Sequence, residues 1–248
     1  MPRRRERRPP ADKLVWRFVF AVLLVDMLAC PALPAAPQLG ATVSLASDYR
    51  FRGRSLSGGR PVGTLNLSYD DPSGIYLGAS ASGVDTRHAG IQLLGAQGSI
   101  GYAQRLESGP VLDLGLTRAD YTEYYSGGSR ASYSDAYVGL IGDRFAVHLH
   151  YSPHYFGRGS AVYGDVDATI RPATTWRLNA HVGLLAPSGG PYSMRGEAVQ
   201  YDWRVAMATQ VRPLELQLAV SGGGPRPDYY GQKRHSTKAL VMSATYIF

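Results

Sequence analysis

His148-Leu149-His150-Tyr151-Ser152, with His154 two residues on, invites a catalytic or metal-site reading in this 248-residue chain. In an extended strand alternate side chains share a side, so His148, His150, Ser152 and His154 would point together. A His/Ser pair could serve a barrel hydrolase acting on lipid, and alternating imidazoles could hold a metal ion. Chemistry on lipid would need these groups on the apolar side, where Phe145, Val147, Leu149 and Tyr151 fall instead. Polar lining of an enclosed space is therefore the expectation, with no catalytic residue, no metal and no cofactor assigned. The run Ser221-Gly222-Gly223-Gly224-Pro225 reads as flexible loop, because it lacks the strand-then-helix context of a phosphate cradle.

A second constellation is made of charges. Arg50, Arg52, Arg177 and Arg204 fall on the polar parity of their segments, as do Asp48, Asp113, Asp135, Asp165, Asp167, Asp202 and Glu215. Charges facing an enclosed lumen can set a transverse field that sorts solutes. They can also pair and fill a small barrel. Asp48, Arg50 and Arg52 stand at alternate positions and would form one inward stripe, with Asp165 and Asp167 as an acidic counterpart. These five, with Arg177 and Arg204, are the candidate pore-lining and constriction residues. Four arginines against seven acids make a cation preference the expected resting state.

The elements that would position these charges are strands. Period-two alternation recurs nearly to the end of the chain with turn-rich stretches between, and no helical stripe intervenes. Leu65/Leu67/Tyr69, Leu112/Leu114/Leu116 and Leu214/Leu216/Leu218 are typical apolar faces. Leu94, Ala96, Ile100 and Tyr102 are assigned to one such face. The last segment, Lys238 to Phe248, places Leu240, Met242, Ala244, Tyr246 and Phe248 together and stops on an aromatic residue. An apolar outer face ending in an interfacial aromatic is what the terminal strand of a transmembrane barrel requires. Tyr246 and Phe248 are accordingly the expected assembly signal. Short turns (70–74, 107–109, 142–144, 171–174, 211–213) alternate with longer loops (53–60, 83–89, 121–130, 153–160, 186–198, 221–237). The expectation is an all-β fold, an antiparallel transmembrane β-barrel of about twelve strands over residues 37–248.

Residues 1–36 read as a signal peptide. Arg3, Arg4, Arg5, Arg7, Arg8 and Lys13 precede a mostly apolar run, and small residues follow at Ala32, Ala35 and Ala36. Arg17 and Asp26 interrupt the run, leaving too little for a membrane-spanning helix of about 20 residues. Cys30 is the only cysteine, and the Met27 and Pro31 around it do not suit acylation. The first 36 residues carry seven basic and three acidic side chains, so the formal +7 of the whole chain falls to +3 beyond them. The positive charge thus belongs largely to the export segment, and nucleic acid is not an expected partner.

The run Ser47-Asp48-Tyr49-Arg50-Phe51-Arg52-Gly53, with Ser55 and Ser57 after it and Tyr69-Asp70 before Pro72-Ser73-Gly74-Ile75-Tyr76, resembles the opening of the TorF family of porins. The resemblance covers roughly residues 40–80. Where members often have Ile or Val, this chain has Arg54. Membership implies a porin-like channel for small polar solutes or ions in the bacterial outer membrane. Its partners would be outer-membrane lipid and the barrel-assembly machinery. A lipid-acting barrel enzyme and a closed structural or surface-interaction barrel are the alternatives.

Overall fold

The computed structural model of the chain describes residues 36–86, 89–122, 131–157, 159–189, 199–224 and 238–248. Residues 1–35 of the expected signal peptide, with Cys30, lie outside the described residues, as do most of the loops expected over 121–130, 186–198 and 221–237.

The strands are β1 (Gln38–Ala46), the short pair β2 (Arg50–Phe51) and β3 (Arg54–Ser55), β4 (Val62–Asp70), β5 (Ile75–Thr86), β6 (Gly90–Arg105) and β7 (Val111–Tyr121). They continue with β8 (Ala131–Ile141), β9 (Phe145–Ser152), β10 (Ser160–Ala173), β11 (Trp176–Gly189), β12 (Gln200–Val211), β13 (Leu214–Gly224) and β14 (Lys238–Ile247). Twelve of them form one closed antiparallel barrel in sequence order, with β14 pairing back onto β1. The pair β2–β3 is a separate hairpin. The closing seam runs from Thr42↔Ile247 to Ala46↔Ser243. With five aligned residue pairs it is the shortest in the barrel wall. Closure leaves no open sheet edge, which is the condition for strands to cross lipid.

Alternation dictates the two surfaces. Leu65, Leu67, Leu114, Leu116, Leu216 and Leu218 face outward and are largely exposed, as a lipid-facing belt requires. At the short-turn end this belt carries Tyr102, Phe145, Trp176 and Tyr246, with Tyr246 and Phe248 in edge contact at 4.8 Å between ring centroids. Tyr and Trp favour such positions because one end of the ring is apolar and the other tolerates water. Toward the loop end the outward face turns polar at the exposed pair Arg118–Asp120 (2.9 Å), where β7 leaves the apolar band.

Four local departures from the sequence expectation have physical causes. The first alternating segment does not continue as a strand to Arg52: β1 stops at Ala46, and the chain folds back on itself as β2–β3. Leu94 is not on the outer face. A β-bulge opposite Ser82/Gly83 inserts an extra residue into β6 and turns Leu94 inward, where it is fully buried. The loop expected over 83–89 is mostly strand, since β5 extends to Thr86 and β6 resumes at Gly90. The glycine run at 221–224 likewise completes β13, with Gly222 and Gly223 opposite Trp203 and Asp202.

Candidate functional site

The S-D-Y-R-F-R-G run is a hairpin folded into the barrel. Phe51 pairs with Arg54 across the turn residues Arg52 (φ 45°) and Gly53 (φ 73°). Two consecutive positive φ values make the tight turn whose twist matches a hairpin, and glycine adopts the second at no steric cost. Gly53 is also confined from outside: a Cβ there would lie 2.7 Å from both Asp202 Cβ and the Gly222 carbonyl oxygen. The hairpin tip therefore rests on the β12–β13 wall.

Asp48 organises the base of the hairpin. Its Oδ1 accepts from Ser55 Oγ (2.5 Å), Ser57 Oγ (2.9 Å) and the Gly59 N–H (3.2 Å), and its Oδ2 accepts from Arg50 Nη1 (3.2 Å). Ser57 Oγ also accepts from the Tyr49 N–H at 3.0 Å. Asp48, Ser55 and Ser57 thus act as one polar knot. Each hydrogen bond to a carboxylate contributes about 1.5–3 kcal/mol. Asp48→Ala is expected to release the hairpin while leaving the wall intact. Trypsin should then cut after Arg50, Arg52 or Arg54, sites the wild-type barrel protects. Equal resistance of the two proteins would show that the knot is not what holds the hairpin.

Above this knot the lumen is apolar. Leu56, Val62, Val84, Leu94, Tyr121, Tyr133, Tyr155 and Phe156 are buried together at the loop end. Phe51 stacks on Tyr133 at 5.2 Å, and Tyr155 and Phe156 enter from a short 3-10 turn (Tyr155–Gly157). Below it lies a cavity of about 540 Å³ that reaches the short turn at Gly142–Phe145. Its lining mixes apolar surface with polar and charged groups, Arg50, Arg52, Tyr137, His148, Asp165 and Asp167 among them.

Arg52 marks the border between these two regions. Its Nη2 donates to Asp135 Oδ2 at 2.6 Å, and its guanidinium lies 4.0 Å from the Tyr163 ring centroid. One side chain thus reaches from the hairpin to β8 and β10. On the wall, Asp165 meets His150 Nε2 at 3.1 Å and His148 Nδ1 at 3.4 Å. Asp167 lies 3.0 Å from His181 Nδ1, and Asp202 lies 3.1 Å from His181 Nε2. Tyr76 donates to Asp113 at 2.7 Å and is hydrogen-bonded to Tyr137. Near the short-turn end Arg177 donates to Glu215 at 2.8 Å. Arg204 stands opposite His181 in the β11–β12 register.

The expected stripe of Asp48, Arg50 and Arg52 along one strand is thus corrected: the three lie on the inward hairpin and do different work. Asp165, Asp167, Arg177 and Arg204 occupy the inner side of the wall. Arg54, in the hairpin, donates to Gln200 Oε1 at 2.9 Å. His148, His150 and Ser152 do face inward together, but β9 ends at Ser152 and His154 lies exposed in the following turn. Ser152 Oγ donates to the Ser134 carbonyl at 2.9 Å, so the described geometry does not pair it with an imidazole. His181, Tyr76, Tyr137 and Tyr163 were not singled out from sequence. Polar parity marks them as inward, but nothing local shows that they converge.

A family model described as "Bacterial protein of unknown function" (Gcw_chp) matches residues 32–246. The chain belongs to this Gcw_chp family. No curated protein matches it in sequence. Among solved structures it is similar to the NanC porin, at 11% identity and a TM-score of 0.57 over 83% of this chain and 98% of the other. It is also similar to the KdgM porin, at 11% identity and a TM-score of 0.52 over 84% and 99%. A further structure of KdgM, in complex with disordered oligogalacturonate, gives 10% identity and a TM-score of 0.51 over 85% and 99%. At these identities the likeness establishes that the Gcw_chp chain shares their barrel fold.

Proposed function

We propose that this Gcw_chp barrel is a porin-like channel of the bacterial outer membrane for small polar solutes or ions, exported through residues 1–36 and inserted by the barrel-assembly machinery. The observation that carries the reading is the pairing of an apolar outer belt with an internal cavity that reaches the short-turn end and is crossed by the charged side chain of Arg52. The S-D-Y-R-F-R-G run, which builds the inward hairpin carrying Arg52, supports placing the chain with the TorF porins. The lumen also speaks to solute class. Acidic groups outnumber arginines on the inner surface, and Asp48, Asp135 and Glu215 already pair with Arg50, Arg52 and Arg177. An acidic oligosaccharide of the kind bound by KdgM would meet repulsion here, so neutral or cationic solutes are the better fit. The lipid-hydrolase alternative gains nothing from the geometry, since Ser152 is engaged with Ser134 and faces the lumen.

The test is a planar-bilayer recording of the refolded mature chain, with the heat-dependent gel shift of a closed barrel as the folding control. Discrete conductance steps with a cation-selective reversal potential are expected. A folded barrel that gives no steps at any voltage would overturn the channel reading.

A further inference from the structure

The inner wall of the barrel gathers carboxylates and imidazoles into one network. Asp113, Asp135, Asp165, Asp167 and Asp202 stand on that wall, each within 3.7 Å of an arginine or an imidazole: His148 for Asp113, Arg52 for Asp135, His148 and His150 for Asp165, and His181 for Asp167 and Asp202. Two of these carboxylates have a buried oxygen without a hydrogen-bond partner among the described residues: Asp113 Oδ2 and Asp135 Oδ1. Asp113 is completely buried, and its orphan oxygen points at His148 Nε2, 3.7 Å away and also without a hydrogen bond. The other ring nitrogen of His148 faces Asp165. Carboxylates crowded in a low-dielectric wall are costly unless cations accompany them. The imidazoles here are the groups that bring a cation within reach.

We propose that Asp165, Asp167 and His181 form a binding site for a divalent transition-metal ion, of which Zn²⁺ is the representative, in the wall of the lumen. One donor atom from each of the three lies within 4.8 Å of the others, and Asp167 Oδ1 and His181 Nδ1 are 3.0 Å apart. That spacing suits two ligands bound side by side, each about 2.0–2.2 Å from one ion. The strands dictate it: Asp165 and Asp167 are alternate residues of β10, and His181 is the cross-strand partner of Asp167 on β11.

The next layer is already in place. With Nδ1 as ligand, His181 can donate its Nε2–H to Asp202 Oδ1 at 3.1 Å, the carboxylate–histidine arrangement that fixes the ring and its tautomer. His150 Nε2 stands 3.1 Å from Asp165 Oδ1, which orients that carboxylate. Asp167 and His181 retain side-chain exposures of 27% and 22% to the cavity, so an ion arriving through the lumen reaches them. One imidazole with two carboxylates selects a borderline ion over Mg²⁺ or Ca²⁺, which prefer oxygen alone.

The site does not depend on the channel reading, since a closed barrel would bind the ion as well. Calorimetry of Zn²⁺ with the tag-free refolded barrel, followed by EDTA release, tests it directly. One tight site per chain is expected. Asp167→Asn and His181→Gln should each weaken it by about tenfold or more, and Asp202→Asn by roughly 10–100-fold through the ring it holds. His154→Gln, on the exposed turn, should leave it unchanged, and Mg²⁺ in excess should not displace Zn²⁺. The heat-dependent gel shift confirms folding of each variant. Should His181→Gln fail to fold, Co²⁺ bound to the wild type should show the visible bands of mixed nitrogen–oxygen ligation. No Zn²⁺ binding by the wild type, binding equal in folded Asp167→Asn and wild type, or displacement by Mg²⁺ would overturn the assignment. Conductance recorded in EDTA reports on the channel separately, so failure of either reading is recognisable on its own.

Discussion

Replacing Arg52 with alanine is expected to raise single-channel conductance by roughly twofold or more, because its side chain crosses the lumen from the hairpin to the barrel wall. The guanidinium joins the hairpin to Asp135 on β8 and lies against the Tyr163 ring on β10. Its removal opens that passage and leaves Asp135, only 3% exposed, without the guanidinium and with His150 Nδ1 3.9 Å away. In a dry interior an orphaned charge of this kind costs about 3–5 kcal/mol. The adjoining cavity lowers that cost, and loss of the guanidinium takes one positive charge out of the lumen beside Asp135. Arg52→Ala should therefore shift the reversal potential toward cations as it raises conductance. Arg52→Ala with Asp135→Asn should keep the higher conductance and lose most of that shift. Bilayer recordings of the three proteins in a salt gradient check both parts. Conductance and reversal potential that stay at wild-type values in both variants would mean that the narrowing lies elsewhere.

Deleting Phe248 is expected to reduce assembled barrel by about tenfold, with export unaffected. The seam it borders is the barrel's shortest, and the Phe248 N–H adds a bond to the Ala41 carbonyl at 3.2 Å beyond the last aligned pair. At the other end of the seam the Ser47 N–H donates to the Met242 carbonyl at 2.9 Å, and the Met242 N–H donates to Ser47 Oγ at 3.1 Å. Loss of Phe248 thus frays one end of a short zipper and removes the ring that packs on Tyr246. Phe248→Leu should retain much of the assembly, since the backbone bond and an apolar group survive. Phe248→Asp should behave like the deletion, because a charge near the interface is costly. Heat-modifiable barrel in outer-membrane fractions measures the outcome, and equal yields from deletion and wild type would remove the terminal aromatic from the assembly argument.

The barrel wall was legible in the sequence because alternation reports directly which side chains meet lipid. Leu114 and Leu116 against Asp113, or Val147 and Leu149 against His148, need no tertiary knowledge. The interior was less legible. Ser47–Arg52 alternates as smoothly as β1 before it, so periodicity alone runs the strand onward. The contrary signals were Gly53 and the pair Gly58-Gly59, together with a carboxylate preceding two serines that could cap it. Leu56 and Val84 illustrate the other gap. A strict rule of polar inside and apolar outside has no place for a buried apolar plug, and Leu94 reaches it only through a bulge that one sequence does not reveal. Convergence of His181 with Asp165, Asp167 and Asp202 depends on cross-strand register, which local pattern leaves open.

The contacts that cross the interior also bear on the shape of the tube. A ring of strands alone is a thin shell that flattens easily under sideways load. Here Tyr76 on β5 is tied to Asp113 on β7 and to Tyr137 on β8, and Arg52 braces the hairpin against β8 and β10 while Gly53 abuts β12 and β13. These ties work as spokes, fixing the distance between wall segments that are not neighbours. A spoked ring resists flattening, so the cross-section of this barrel is set by contacts within the chain itself.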